Sequence, residues 1–175
     1  MALILLVPDD PAWALDFARE SDRLTQALGN LLLDLQHIGS TSVPNLLAKA
    51  VIDMLATVQN VEDLDARSEA FESLGYQVMG EFGIPGRRYF RKDDSNGRRT
   101  HQVHAFAKGS SEITRHLDFR DYLRAHTDVA DAYAALKKML ALECLGDMSC
   151  YSDGKTAFIR DVERRAAIWK RDLLQ

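Results

Sequence analysis

The chain is short of the residues that mark specialised protein classes. Its two cysteines, Cys144 and Cys150, have no Cys-x-x-Cys pair and no histidine cluster beside them, which excludes a disulfide-stapled scaffold or a zinc ribbon. Free thiols in a reducing, cytoplasmic setting are expected. No stretch approaches the roughly 18–20 apolar residues of a membrane span, so no membrane partner is expected. The apolar opening from Met1 to Val7 lacks a basic start and a cleavage site and runs straight into Pro8, Asp9, Asp10 and Pro11. It reads as a buried strand from Ala2 to Val7. Neither sign of charge dominates: 22 basic residues against 26 acidic ones give −4, so no global basic field draws in nucleic acid. Internal repeats and low-complexity tracts are also missing.

What is present is enough for one domain over residues 1–175. With 46% hydrophobic residues the chain can bury a substantial core. Asp9, Asp10 and Pro11 start a helix whose apolar face carries Trp13, Phe17, Leu24 and Leu28 and which ends at Gly29-Asn30. Leu31 to Ile38 and Val51 to Val58 read as strands, the second apolar at nearly every position except Asp53. An acidic helix from Val61 to Leu74 precedes a short strand from Tyr76 to Met79. Arg87 to Lys92 and Thr100 to Ala107 form a hairpin about the turn Asp93-Asp-Ser-Asn-Gly97. From Ser110 the pattern is helical, in segments reaching about Ala125, from Asp128 to Leu145 and from Gly154 to Leu173. The expected fold class is α/β (α+β), a mixed sheet flanked by helices with a helical C-terminal portion.

One turn and one carboxylate carry the chemistry. After His37 and Ile38, the small residues Gly39, Ser40, Thr41 and Ser42 let backbone N–H groups approach an anion, and their hydroxyls add donors. Lys49 supplies a mobile positive charge near the same place. Asp53, alone on an apolar strand, needs a cation or donors to offset desolvation. Mg²⁺ bridging it to nucleotide phosphates and an ion pair with Lys49 or an arginine both satisfy that need.

The run His37-Ile-Gly-Ser-Thr-Ser-Val-Pro44, followed by Lys49 and Ile52-Asp53, resembles the signature of the GrpB (UPF0157) family. So, in the same order, do Pro8 to Trp13, Arg88 to Lys92, His101 to His104, His116 to Leu123 and Lys155 to Ile159, covering nearly the whole chain. That resemblance implies a nucleotidyltransferase-like fold, whose catalytic members combine a Gly-Ser turn with carboxylates that bind metal-nucleotide. On that reading His37, Gly39, Ser40, Thr41, Ser42, Lys49 and Arg88 contact phosphates. Asp53 and His104 serve catalysis and hold a divalent metal, Mg²⁺ or Mn²⁺, with His101 a lesser candidate. The expected partner is a nucleotide or other phosphorylated small molecule. The resemblance also implies an alternative, since the family occurs joined to dephospho-CoA kinase: a non-catalytic module binding a nucleotide or coenzyme-A precursor.

The chain departs from the catalytic pattern at one position. Leu55 stands where a second acid, two residues after Asp53, would share its strand face, and no Asp or Glu occurs from His101 to Phe106. Gln102, His104 and Phe106 share a face, which places His104 rather than His101 beside Asp53. Trp13, Phe17, Phe71, Tyr133 and Trp169 read as packing residues, and Lys155 as a solvated lysine at a helix start.

Overall fold

Two apolar faces on one strand set the architecture. In the computed structural model, which describes residues 4–175, β2 (Ile52–Val58) points Ile52, Met54, Ala56 and Val58 to one side and Asp53, Leu55 and Thr57 to the other. It lies between β1 (Leu32–Ile38), paired antiparallel, and β5 (Arg99–Ala107), paired parallel. β4 (Arg88–Asp93) and β3 (Tyr76–Val78) extend the sheet antiparallel, giving the order β1-β2-β5-β4-β3.

The first face of β2, with Val103, Ala105 and Phe90, packs on Trp13, Leu24 and Leu28 of α1 (Ala12–Leu28), on Leu64 of α2 (Glu62–Asp65) and on Phe71 of α3 (Ser68–Ser73). On the second face Leu55 meets Ile38 and Phe106 under Ile113 and Leu117 of α4 (Ser111–Ala125). A separate cluster joins α4 to α5 (Thr127–Glu143) and α7 (Thr156–Leu173) through Tyr122, Leu123, Tyr133, Val162 and Ala166.

Several sequence expectations change. Ala2 and Leu3 lie outside the described residues, and residues 4–7 form no strand; Val7 makes a single bridge to Ala48. Its neighbours Ile4 and Leu6 pack instead on the far ends of α5 and α6 (Met148–Gly154). The acidic helix breaks into α2 and α3 just after Asp65, whose carboxylate is drawn to Arg88 on the sheet. α6 was not expected: Leu145 and Gly146, at φ 47° and 90°, reverse the chain, and Asp147 accepts from the N–H groups of Ser149 and Cys150 as a cap. That reversal brings Cys144 and Cys150 together, and they form a disulfide rather than the free thiols expected. The reducing, cytoplasmic setting read from those thiols loses its support.

The turn after β1 packs directly on the sheet's second face at Asp53. Gly39 has φ 71°, and Ser42 and Val43 donate their N–H groups to Gly39 O and Ser40 O at 3.1 and 3.2 Å. A Cβ on Gly39 would sit 2.5 Å from Asp53 Oδ2 and 3.0 Å from Asp53 Cβ. Glycine is therefore required twice, by the left-handed backbone and by the carboxylate beneath it.

Gly39→Ala is expected to lower stability by more than about 2 kcal/mol and to displace Asp53; equilibrium urea unfolding measures the first and a crystal structure the second. Across the sheet, Glu20 is buried at the α1 face and paired with Lys92 Nζ at 2.8 Å. Burial raises its pKa, but the Lys92 ammonium outweighs burial and the net shift is downward. The pair's contribution is thus present above the ordinary glutamate pKa and lost as pH falls through the lowered one. Lys92→Met should cost ~3–5 kcal/mol in urea unfolding at neutral pH, with the deficit shrinking in acid as Glu20 takes a proton.

Candidate functional site

The second sheet face and the helical layer enclose a cavity of about 530 Å³. Its floor is the Gly39–Thr41 turn with Asp53, and α5, α6 and the segment reaching α7 close it from above. Position 53 contributes the one acidic side chain among its lining residues.

Three lysines converge here. Lys137 of α5 is 2% exposed; its Nζ donates to Ser40 Oγ at 3.0 Å and to the Leu47 carbonyl, and stands 4.6 Å from the Tyr133 ring centre. Burial, reinforced by the charges of Lys155 and Lys49, pulls its pKa down to about 7. Lys155, 4.3 Å over the Tyr151 ring, is pulled down to about 8 by burial and then Lys49, against the opposing pull of Asp53. Lys49 lies 5.6 Å from the same ring and is also lowered by burial, with Asp53 opposing. A fourth cation, Arg99, lines the cavity while bonded to Asp93. Ammonium groups that depress one another are short of negative charge, and a bound anion would supply it.

The residues expected from the sequence divide cleanly. Gly39, Ser40, Thr41, Lys49 and Asp53 line the cavity. Thr41 turns its hydroxyl to Val51 O at 3.0 Å and so accepts from His37 Nε2 at 3.0 Å. His37 itself lies on the opposite sheet face, stacked on Phe17, and burial lowers its pKa to about 4. It is a post beneath the turn. Ser42 spends its hydroxyl on Gly39 O at 2.6 Å. Arg88 does not reach the site: strand alternation sends it to the α2 side, where it grips both oxygens of Asp65 at 2.7 and 2.8 Å. His101 likewise faces α1, beside Glu20.

Asp53 pairs with neither Lys49 nor an arginine; among the described residues its ion-pair partner is His104, Nε2 to Oδ1 at 3.7 Å. Arg87 Nη1 lies 3.3 Å from His104 Nδ1, and a guanidinium only donates, so in the neutral ring the proton sits on Nε2. Neither nitrogen then offers a lone pair to a metal. Among the described residues no three His, Cys, Asp or Glu side chains gather as ion ligands. With Leu55 sealed in the core at 1% exposure, the donor set does not fit a resident divalent cation.

Sequence reasoning missed Lys137, Arg99 and Tyr151, and assigned Lys155 to solvent and Tyr133 to packing alone. A signal for Lys137 existed: Ala130, Tyr133, Leu140 and Cys144 recur at helical spacing as the buried face of α5, and the lysine falls within that row. Lys155 and Tyr151 depend on the unexpected α6.

Comparison with known proteins fits this geometry. Residues 3–165 match the family described as GrpB protein. The UPF0157 protein YqkA of Bacillus subtilis is 44% identical over 159 residues, covering 91% of this chain and 46% of YqkA, so the chain spans about half that relative's length. A dephospho-CoA kinase of Mycolicibacterium paratuberculosis is 29% identical over 191 residues, 96% of this chain and 47% of the kinase. The crystal structure of conserved protein GrpB from Enterococcus faecalis superposes with a TM-score of 0.87 at 44% identity, covering 93% of this chain and 96% of that one. The polymerase core of TRAMP, an RNA surveillance complex, shares the fold at a TM-score of 0.51 and 15% identity over 83% of this chain and 47% of that one. The five-stranded mixed sheet with its helices is thus nucleotidyltransferase-like, as expected. No described helix is long and apolar enough to cross a membrane. On the match across nearly its whole length, the chain belongs to the GrpB family.

Proposed function

We propose that the cavity binds a nucleotide or a related phosphorylated small molecule through its phosphate groups. The observation that carries this reading is the convergence of Lys49, Lys137 and Lys155 on the Gly39-Ser40 turn, three ammonium groups against the single carboxylate of Asp53. Phe82, Tyr89 and Phe119 supply apolar wall on which a planar base can rest. The phosphorylated coenzyme-A precursors, of which the adenylylated one carries its phosphate on a nucleoside, fall within the same chemical class.

A second reading is nucleotidyl transfer, favoured by the partly exposed Asp53 at the foot of the turn. Against it stands Leu55, and no catalytic step is assigned to a metal that the residues do not hold.

A panel of nucleoside mono-, di- and triphosphates and coenzyme-A precursors, followed by thermal unfolding, separates these readings from a purely structural role. A ligand at a hundred times its Kd adds about 2.7 kcal/mol, a rise in Tm of roughly 5–10 °C for a domain of this size. Lys137→Met should remove that rise; no rise with any member of the panel would sink the binding reading. Pyrophosphate release assayed with Mg²⁺ or Mn²⁺, and lost in Asp53→Asn, would establish transfer. Affinity should also depend on pH. Lys137 and Lys155 bind phosphate only when charged, and their lowered pKa values put that charge at risk above neutrality. Between pH 7 and 9, where phosphate is already fully ionised, with a second pKa of about 6, binding should weaken as pH rises. Titration calorimetry in buffers of different ionisation enthalpy should show proton uptake. Lys49, Arg99, Asp53, Tyr89, Tyr133 and Tyr151 are the other titratable groups at the cavity; burial raises all three tyrosines, which stay neutral in this range.

A further inference from the structure

We propose that the pocket takes its phosphate ligand as the free polyanion, without a divalent cation, the ammonium groups of Lys49, Lys137 and Lys155 providing the neutralisation that paired carboxylates and metal provide elsewhere. The inference rests on the phosphate-binding reading above and names the form of ligand that the site recognises.

Three observations lead to it. The first is the acid count. Asp53 faces Ile38 on β1 and Gln102 on β5, and the next residue on its own face, Leu55, is sealed against Ile38 and Phe106. An ion at this end of β2 would find one carboxylate and a neutral amide, where Mg²⁺ takes six oxygens in near-octahedral order.

The second is the fixation of His104. Arg87, 6% exposed, donates to Glu81 O at 3.1 Å and to Phe82 O at 2.7 Å, which leaves its remaining fork on His104 Nδ1. The imidazole cannot present Nδ1 to an ion without stranding that guanidinium. Its Nε2–H faces Asp53 instead, at 3.7 Å, and offers a metal no lone pair.

The third is the sign of the field. Once a bound anion holds all three lysines charged, they exceed Asp53 by two positive charges, close to the −1.5 to −2 that one terminal phosphate carries. An incoming divalent cation would meet ammonium groups that already repel one another. A polyanion would meet charge it can neutralise. Lys137 is also held by Ser40 Oγ and Leu47 O, so its Nζ is positioned before any ligand arrives.

The test compares one probe in two states. A triphosphate with a non-hydrolysable α,β-methylene bridge is titrated calorimetrically into the protein in EDTA, and again with Mg²⁺ in excess. The free anion should bind, and excess Mg²⁺ should leave its affinity unchanged or weaken it. Lys49→Gln and Lys155→Met should each weaken binding in EDTA by about tenfold or more, the loss expected for one charge-assisted contact. Circular dichroism and thermal unfolding confirm that each variant is folded. Lys49, half-buried at the cavity, provides a variant that leaves the core intact should Lys137→Met fail to fold. Binding that appears only with Mg²⁺, or tightens about tenfold when it is added, would overturn this inference and leave phosphate binding standing. Absence of binding in both states overturns phosphate binding and this inference with it.

Discussion

Gly39 lies against Asp53 so closely that a single carbon added to the glycine would occupy the carboxylate's place. That contact decides where the anion-binding turn sits. β1 and β2 are antiparallel neighbours, but pairing alone leaves the chain free to leave β1 in many directions; the left-handed Gly39 turns it over the β2 carboxylate. His37 and Thr41 then pin the turn from below, through a relay ending on Val51 O. From the opposite side Arg124 takes Ser42 O with two nitrogens, at 2.9 and 2.6 Å. The turn is therefore held on three sides and open on the fourth, which is the cavity.

The helical layer supplies what the sheet lacks. A nucleotidyltransferase-like sheet places a turn and an acid together, but positive charge has to come from elsewhere. Here α5, α6 and the start of α7 bring Lys137 and Lys155 over the turn, and the aromatic rings of Tyr133 and Tyr151 flank their ammonium groups. Burying lysine beside lysine is unfavourable, as their lowered pKa values express. The disulfide between Cys144 and Cys150 holds the end of α5 to α6, tying together the two elements that carry these groups.

The sheet and the turn were legible in the sequence because their signals are local. The nearly unbroken apolar run of Ile52–Val58, the Asp93–Gly97 hairpin and the run from Gly39 to Ser42 each specify structure within a few residues. Arg88 shows where local reading stops: nothing local told which face of β4 would meet α2 and which the cavity. Lys137 and Lys155 fail for a related reason. A lysine on a helix is solvated unless another element covers it, and the covering here comes from residues nearly a hundred positions away, as in the bond from Lys137 to Ser40. The cysteine pair depended on a reversal at Leu145 and Gly146, where the non-glycine residue adopts a backbone that its type rarely favours.

Leu55 limits what the sheet can carry behind the pocket. Its side chain is a structural member, closed in by Ile38, Phe106 and the α4 residues Ile113 and Leu117. A carboxylate there would be cut off from water among these apolar side chains. Leu55→Asp would therefore carry a desolvated charge into packed core instead of completing an acid pair with Asp53. Packing behind the pocket thus limits what its floor can carry, and the charge of the site is set from the opposite wall, by the lysines.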